Sequence, residues 1–475
     1  MNKYKCSICG YICDDIESID SCPDCGAPKD LFEILENIEE IDETPSNAVK
    51  ISKDNVAIER IIDKCINCGM CNQTCLLKEG MHFDKNSELC VNCGQCIIYC
   101  PTKALVPKSS YNEFIEAKKQ GKICIAYASP SVRVSVAEIF NLEPGTIEIK
   151  KMVGLLKHLG FDYVFDTAFA ADLTIMEEAS ELVDRIKNNK KLPMFTSCCP
   201  AWVKYAEQFY PELLENISTC KSPIGMMGPV VNEYFTKENN ISKENIFTVA
   251  ITPCTAKKFE IKREEVWGTD LVITVNELNN IVKNENIKYE DIKKSEFDSF
   301  FKEGSGAGTI FGNTGGVMEA ALRTTSYLIT GKPLEKINFE PVRGYDNVRE
   351  AEINIEGLKL NVAVIHKMSS AIKILEDVKN GKSKYHFIEI MNCEGGCIGG
   401  GGQIIPDLNN EKNIKQAKIN NLYNRDNELN IRCSHDNPQI KDIYDKFLDK
   451  PLSKKSHELL HTTYINRKVD ELVNN

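Results

Sequence analysis

From about residue 120 onward, short apolar runs alternate with stretches of helical periodicity. The runs Ile123–Ala128, Tyr163–Asp166, 246–251, 362–365 and Phe387–Met391 read as buried strands, and 172–188 and 317–323 as helices between them. Within 172–188, Leu173, Met176, Ala179, Leu182, Val183 and Ile186 form an apolar stripe, while Glu178, Glu181 and Arg185 recur at spacings of three and four on another face. Such a charged row is ordinarily a solvated, salt-bridging face. The pattern predicts an α/β domain over 120–465. The tail from about 409 is polar, mostly helical by pattern, and carries no legible chemistry.

Three strand-like runs, 193–196, 246–251 and Phe387–Met391, lead directly into cysteine segments. These read Thr196-Ser197-Cys198-Cys199-Pro200-Ala201-Trp202, Thr252-Pro253-Cys254-Thr255-Ala256-Lys257-Lys258-Phe259-Glu260 and Met391-Asn392-Cys393-Glu394-Gly395-Gly396-Cys397-Ile398-Gly399-Gly400-Gly401-Gly402. Thiolates presented from three separate loops suit a metal cluster better than a packed core. Ligands of open α/β sheets sit beyond the carboxyl ends of strands, so a cluster between sheet lobes is expected.

At 475 residues, two to four domains are expected. A net charge of −11 argues against nucleic acid or an anionic membrane as partner. The 21 cysteines, the opening Met1-Asn2-Lys3-Tyr4-Lys5-Cys6 and the lack of a long uncharged apolar run point to a cytoplasmic, reducing setting where thiols serve as metal ligands. Cysteine density divides the chain into 1–36, a linker over 37–54, an eight-cysteine block over 55–110 and the large domain over 120–465.

Cys6-x2-Cys9-Gly10 and Cys22-x2-Cys25-Gly26 are two knuckles able to form a tetrahedral S4 site. With the trailing Ala27-Pro28-Lys29-Asp30-Leu31-Phe32-Glu33, they resemble the small rubredoxin-like domain of rubrerythrins. Attachment to a redox chain favours iron, and zinc would use the same ligands. Cys65-x2-Cys68-x2-Cys71-x3-Cys75 and Cys90-x2-Cys93-x2-Cys96-x3-Cys100-Pro101 repeat the spacing of bacterial two-cluster ferredoxins, an α+β fold. In that fold the fourth cysteine of each run crosses over. Cys65, Cys68, Cys71 and Cys100 are thereby assigned to one [4Fe-4S] cluster, and Cys90, Cys93, Cys96 and Cys75 to the other.

Together the three cysteine loops of the large domain resemble the signature motifs of iron-only (FeFe) hydrogenases. The resemblance, spanning roughly 55–465, implies two sheet lobes flanked by helices around an H-cluster, a [4Fe-4S] cubane bridged to a two-iron subsite carrying CO, cyanide and an azadithiolate. It implies cubane ligation by Cys199, Cys254, Cys393 and Cys397, with Cys397 bridging to the two-iron subsite. Lys257 and the segment with Pro130 and Ser131 would contact its cyanides, and Phe311 and Met391 would line the pocket. The glycine run after Cys397 is expected to let backbone approach the cluster. Cys198 takes the family's proton-transfer position, and the family's route outward matches Glu178, Ser218 and Glu181, with Arg185 at its mouth.

The chain departs from the family at Thr252, where Met is usual, and at Ile224, where Gln is usual. Cys124, Cys220 and Cys433 match no ligand role. The glycines over 304–308 lack a nucleotide-loop register. The implied function is reversible interconversion of H2 with protons and electrons. Two [4Fe-4S] clusters, and the rubredoxin-like iron, would relay electrons to ferredoxin or a rubredoxin- or rubrerythrin-linked acceptor, and hydrogenase maturases would load the site. An H2 sensor or a non-catalytic hydrogenase-like iron-sulfur protein is the alternative.

Overall fold

The computed structural model describes residues 46–80 and 89–468, together with 3–6, 12–13, 21–23, 28–29 and 32–35. The chain divides into two compact units, Met1–Ser46 and Asn47–Asn475. The first carries three short strands, β1 (Lys3–Cys6), β2 (Ile12–Cys13) and β3 (Phe32–Leu35), in the antiparallel order β2-β1-β3. Cys6 ends β1 opposite Phe32, and Cys22 is buried beside Ser21, which bridges to Pro28. Cys9, Cys25, the Cys6 side chain and the first half of the expected linker, 37–45, lie outside the described residues.

In the second unit, β4 (Ile58–Arg60) and β5 (Leu105–Pro107) pair antiparallel and flank the eight-cysteine block. Residues 47–54, assigned to a linker by composition, pack against this block. Asn47 N–H donates to Asn67 Oδ1 (2.8 Å), and buried Val49 directs its N–H at Cys71 Sγ (3.2 Å). The sequence repeat becomes a backbone repeat. Asn67 and Gly69 in the first run, and Asn92 and Gly94 in the second, adopt left-handed conformations (φ 56°, 74°, 62° and 70°). Asn and Gly tolerate that region at least cost, so both runs can turn at matching positions.

The large domain holds two four-stranded sheets. In one, β6 (Ile123–Ala128), β7 (Tyr163–Asp166), β9 (Ile246–Thr252) and β10 (Leu271–Thr274) run parallel in the order β10-β9-β6-β7. In the other, β8 (Met194–Phe195), β11 (Val348–Ile355), β12 (Leu358–His366) and β13 (Phe387–Met391) take the order β11-β12-β13-β8, parallel except for the β11–β12 hairpin. The expected buried strands recur, three with the same bounds. β11 escaped the apolar-run pattern because it is an edge strand whose residues alternate between core and solvent.

The long helix Thr167–Asn188 starts five residues earlier than periodicity indicated, because Asp166 caps it by accepting from Ala168 N–H (2.9 Å). Its charged row is not solvated: Glu177, Glu178, Glu181 and Arg185 are all buried. Helices Gly316–Thr330 and Pro223–Val230 pack along it, as does the C-terminal segment. From that segment Ser434 and Asn437 donate to Asp172 (2.8 and 2.9 Å), and Tyr444 donates to Glu177 (2.6 Å). Among the described residues, no helix is long and apolar enough to cross a membrane.

Candidate functional site

The carboxyl ends of β6, β8, β9 and β13 converge on one cavity. Its walls include Cys199, Cys254, Cys393 and Cys397, one cysteine loop following each of β8, β9 and β13. Cys199 caps the helix Pro200–Phe209, whose first N–H groups favour a thiolate, and Asn392 N–H points at its Sγ (3.5 Å). Burial pushes the Cys254 thiol up to about 12 and raises Cys199 and Cys397 too. A positive metal centre offsets that burial and makes such buried thiols into ligands.

The other lining residues suit an anionic cluster. Lys257 lines the cavity, donating to Cys198 O (3.1 Å) and pairing with Glu260 (2.8 Å). Burial works against its charge, but Glu260 and Cys254 outweigh that and hold its pKa above the ordinary value. Ser131 faces the same space, and its buried hydroxyl has no hydrogen-bond partner among the described residues. A ligand accepting that hydroxyl would satisfy it. Pro130, Phe311 and Met391 complete the wall, as do Thr252 and Ile224, the two departures from the family pattern. The donor set, the cation and the unpaired hydroxyl fit a thiolate-held cluster with acceptor ligands.

Cys198 also lines this cavity, and behind it the expected proton residues come together. Burial, then the nearby Glu178 carboxyl, hold the Cys198 thiol well above its ordinary pKa. Burial and the neighbouring Glu181 push Glu178 up to about 8, against the smaller pull of the Ser218 hydroxyl and Ser197 N–H. Neither carboxyl oxygen of Glu178 has a hydrogen bond of normal geometry among the described residues. Ser218 donates instead to Glu181 Oε2 (2.9 Å), and Glu181 pairs with Arg185 (2.6 Å).

Gly396 and Gly400 line the cavity, and the glycine run also packs against other backbone. A Cβ on Gly400 would stand 2.3 Å from Pro253 O, and one on Gly401 would stand 2.2 Å from Cys93 O. These glycines admit neighbouring backbone, fastening the Cys254 loop and the second ferredoxin-like run to the cluster loop. Gly401→Ala is therefore expected to cost about 1–3 kcal/mol through overpacking. Thermal unfolding checks this, and an unchanged melting temperature would contradict the close approach.

The same contact joins the eight-cysteine block to the cavity. Gln95 donates to Cys393 Sγ (3.3 Å) and Gly399 O (2.9 Å), and Asn92 O accepts from Thr255 (2.7 Å). Within the block, a smaller cavity is lined by Cys65, Cys68, Cys71 and Cys100, the set that crosses between the two runs. Cys96 lies close enough to Cys90 to feel its charge.

Two supporting residues were missed. Glu389, alone in the apolar strand β13, accepts from Gly315 N–H (2.6 Å) and Met318 N–H (2.7 Å), locking the Phe311 segment to the strand before Cys393. A lone carboxylate in an apolar strand was the available signal. Burial brings His366 down to about 4, so it is neutral and accepts from Gly395 N–H (3.3 Å) inside the cluster loop.

Residues 122–401 match the model of the iron only hydrogenase large subunit, C-terminal domain. The chain belongs to the iron-only hydrogenase family. Residues 412–467 match the iron hydrogenase small subunit, 83–106 a 4Fe-4S binding domain and 4–33 the rubredoxin-like domain of rubrerythrin. The chain is 42% identical over 443 residues to the NADP-reducing hydrogenase subunit HndD of Solidesulfovibrio fructosivorans, covering 87% of this chain and 75% of that protein. It is 42% identical over 372 residues to iron hydrogenase 1 of Clostridium pasteurianum, covering 77% of this chain and 65% of that protein. A solved structure of an apo [FeFe]-hydrogenase HydA1 variant from Chlamydomonas reinhardtii superposes with a TM-score of 0.66 at 38% identity, covering 75% of this chain and 99% of that one. This hydrogenase is thus an oxidoreductase acting on H2, with an α/β catalytic domain and iron-sulfur modules.

Proposed function

We propose that this hydrogenase interconverts H2 with protons and electrons reversibly at a cluster held by Cys199, Cys254, Cys393 and Cys397. The observation that carries this reading is the convergence of four thiols, Lys257 and Cys198 on one buried cavity. When bound, the cluster supplies electrons and an open coordination position for H2. Lys257 and the Ser131 hydroxyl orient its anionic ligands by charge and hydrogen bonding. Cys198 moves a proton at Sγ and exchanges it with Glu178, whose high pKa keeps it protonated near neutral pH. Ser218 and Glu181 continue the route.

Two [4Fe-4S] clusters would supply electron transfer, one held by Cys65, Cys68, Cys71 and Cys100, the other by Cys75, Cys90, Cys93 and Cys96. Gln95 and Thr255 hold the second cysteine run against the loops that carry Cys393 and Cys254. Cys6, Cys9, Cys22 and Cys25 would hold an iron, which would supply an exit of higher potential toward a rubredoxin-type acceptor. The domains in this reading are 1–36, 55–110 and 120–465, with 47–54 packed on the second, and hydrogenase maturases would load the two-iron subsite.

Maturase-coexpressed protein is expected to evolve H2 from reduced ferredoxin and to reduce ferredoxin under H2. No H2 chemistry in either direction would overturn the function. Deleting residues 1–40 is expected to spare H2 evolution while lowering H2-dependent reduction of a rubredoxin-type acceptor. Equal rates with and without the module would remove the exit role.

A further inference from the structure

The cavity of the first cysteine set carries a cation of its own. Cys65, Cys68, Cys71 and Cys100 line it together with Arg60, the last residue of β4. Pairing of β4 with β5 sets Arg60 opposite Leu105, and Ile61 N–H donates to Ala104 O (2.8 Å), so the strand end is fixed at this wall. Arg60 Nη1 donates to Cys65 Sγ (3.4 Å), and Nη2 donates to Val49 O. Its Nε is buried and has no hydrogen-bond partner among the described residues. A cluster in this cavity would bring sulfur acceptors for that N–H.

The other sulfurs of the set face donors or water. Val49 N–H is directed at Cys71 Sγ (3.2 Å), and Ala104 N–H at Cys100 Sγ (3.3 Å). Val49 thus serves the site twice, giving Cys71 its N–H and taking Arg60 with its carbonyl. Cys68 is exposed, whereas Asn92 and Gln95 of the second run bond the loops that carry Cys254 and Cys393. The first set is therefore the outer one. Hydrogen bonds to the sulfurs, nearby positive charge and solvent exposure all stabilise an added electron and raise the reduction potential of a cluster.

We propose that Arg60 is a positioning residue for electron transfer that acts through Cys65. Its charge, hydrogen-bonded to that sulfur, raises the reduction potential of the outer cluster, so that H2-derived electrons settle at the solvent-facing end of the relay. The inference rests on the proposed assignment of Cys65, Cys68, Cys71 and Cys100 to one [4Fe-4S] cluster. Reduction adds one electron and one negative charge there, which the guanidinium stabilises. A guanidinium stays protonated at any working pH, so this effect does not titrate away. Arg60 also lies near enough to Cys96 of the other set to act on it, but Cys65 is the sulfur it touches. The outer potential therefore responds more strongly to Arg60 than the inner one.

The test is a redox titration of cluster-loaded full-length enzyme, followed by electron paramagnetic resonance. Arg60→Met is expected to change the oxidised-to-reduced ratio of one [4Fe-4S] signal about tenfold at fixed potential, a fall of about 59 mV in its midpoint. The other signal is expected to move less, and the CO and cyanide infrared bands to stay unchanged. In the unsubstituted enzyme the responding signal is expected to be the first to appear on reduction. Arg60→Lys, which keeps the charge, is expected to keep most of the midpoint. Arg60→Gln, a neutral donor, is expected to shift it in the same direction as Met and reads out where Met costs the cluster. Unchanged midpoints in either neutral variant at full iron content would overturn the inference, as would a responding signal that is last to be reduced. Loss of this iron in both neutral variants would make Arg60 structural and overturn it too. Fewer than two [4Fe-4S] signals in the unsubstituted enzyme would instead overturn the ligand assignment beneath it.

Discussion

Cys198→Ala is expected to lower H2 turnover in both directions by roughly a hundred- to ten-thousand-fold, the range for loss of a positioned proton-transfer group. Cys198 lines the cavity beside Cys199, and the Glu178 carboxyl lies close enough to act on its thiol. Alanine removes the exchangeable proton and leaves a gap in the transfer series. The ligand thiols, the strand ends and Lys257 stay as they are, so iron content and infrared bands are expected to match those of the unsubstituted enzyme. Cys198→Asp, which restores an exchangeable proton, is expected to recover part of the rate. Glu178 adds a pH signature. Its folded pKa of about 8 keeps it protonated below that pH, so H2 evolution is expected to fall as pH rises through it. Near-normal turnover in Cys198→Ala with an intact cluster would remove Cys198 from the mechanism.

The largest expected effect on stability lies elsewhere, at Arg323. Its fully buried guanidinium donates Nη2 to Glu319 (2.7 Å) and, in a bidentate pair, Nη1 and Nη2 to Asp426 (2.9 and 2.8 Å); Nη1 also reaches Arg432 O (2.8 Å). Asp426 lies on Glu411–Glu428, so this ion pair ties the C-terminal segment to the helix that flanks the proton route. Arg323→Ala strands two buried carboxylates, with Arg343 and Arg432 as their remaining cations. Breaking a buried pair from one side costs about 3–5 kcal/mol. The measurement is denaturant unfolding of the cluster-free protein beside the unsubstituted chain. A change below about 1 kcal/mol would mean that the cluster contributes no more than a surface pair. Burial raises the Asp426 pKa, but Arg323 and Arg432 outweigh it and hold the carboxyl below its ordinary value. The stabilisation is therefore present above the unfolded-state pKa and is lost as pH falls through the folded one.

Local features were legible in the sequence, and long-range placement was not. The cysteine loops stood out because ligand residues and tight-turn residues are adjacent in the chain. The ferredoxin-like repeat reads as Cys-x-Asn-Cys-Gly twice, and the structure returns it as two matching left-handed turns. Thr252 and Ile224, noted as departures from the family, both lie on the cavity wall. The charged row on Thr167–Asn188 misled, since periodicity reports which residues share a face and not what covers it. Residues 215–219, some thirty positions further along the chain, cover that face, with Ser218 and Thr219 bonding Glu181 and the carbonyls of Glu215, Asn216 and Ile217 taking the Arg185 guanidinium. Thr219 and His461 meet across 242 positions, and Gly401 meets Cys93 O from a different module. Contacts of that kind depend on how strands and helices stack, which no local pattern encodes.

The most direct measurement is the infrared spectrum of the maturase-coexpressed protein, recorded under argon and then under H2. A thiolate-held cluster at the ends of β8, β9 and β13 predicts sharp CO and cyanide bands that shift on exposure to H2. A protein with its full complement of iron and sulfide but no CO or cyanide bands, or with bands indifferent to H2, would contradict H2 chemistry in this cavity.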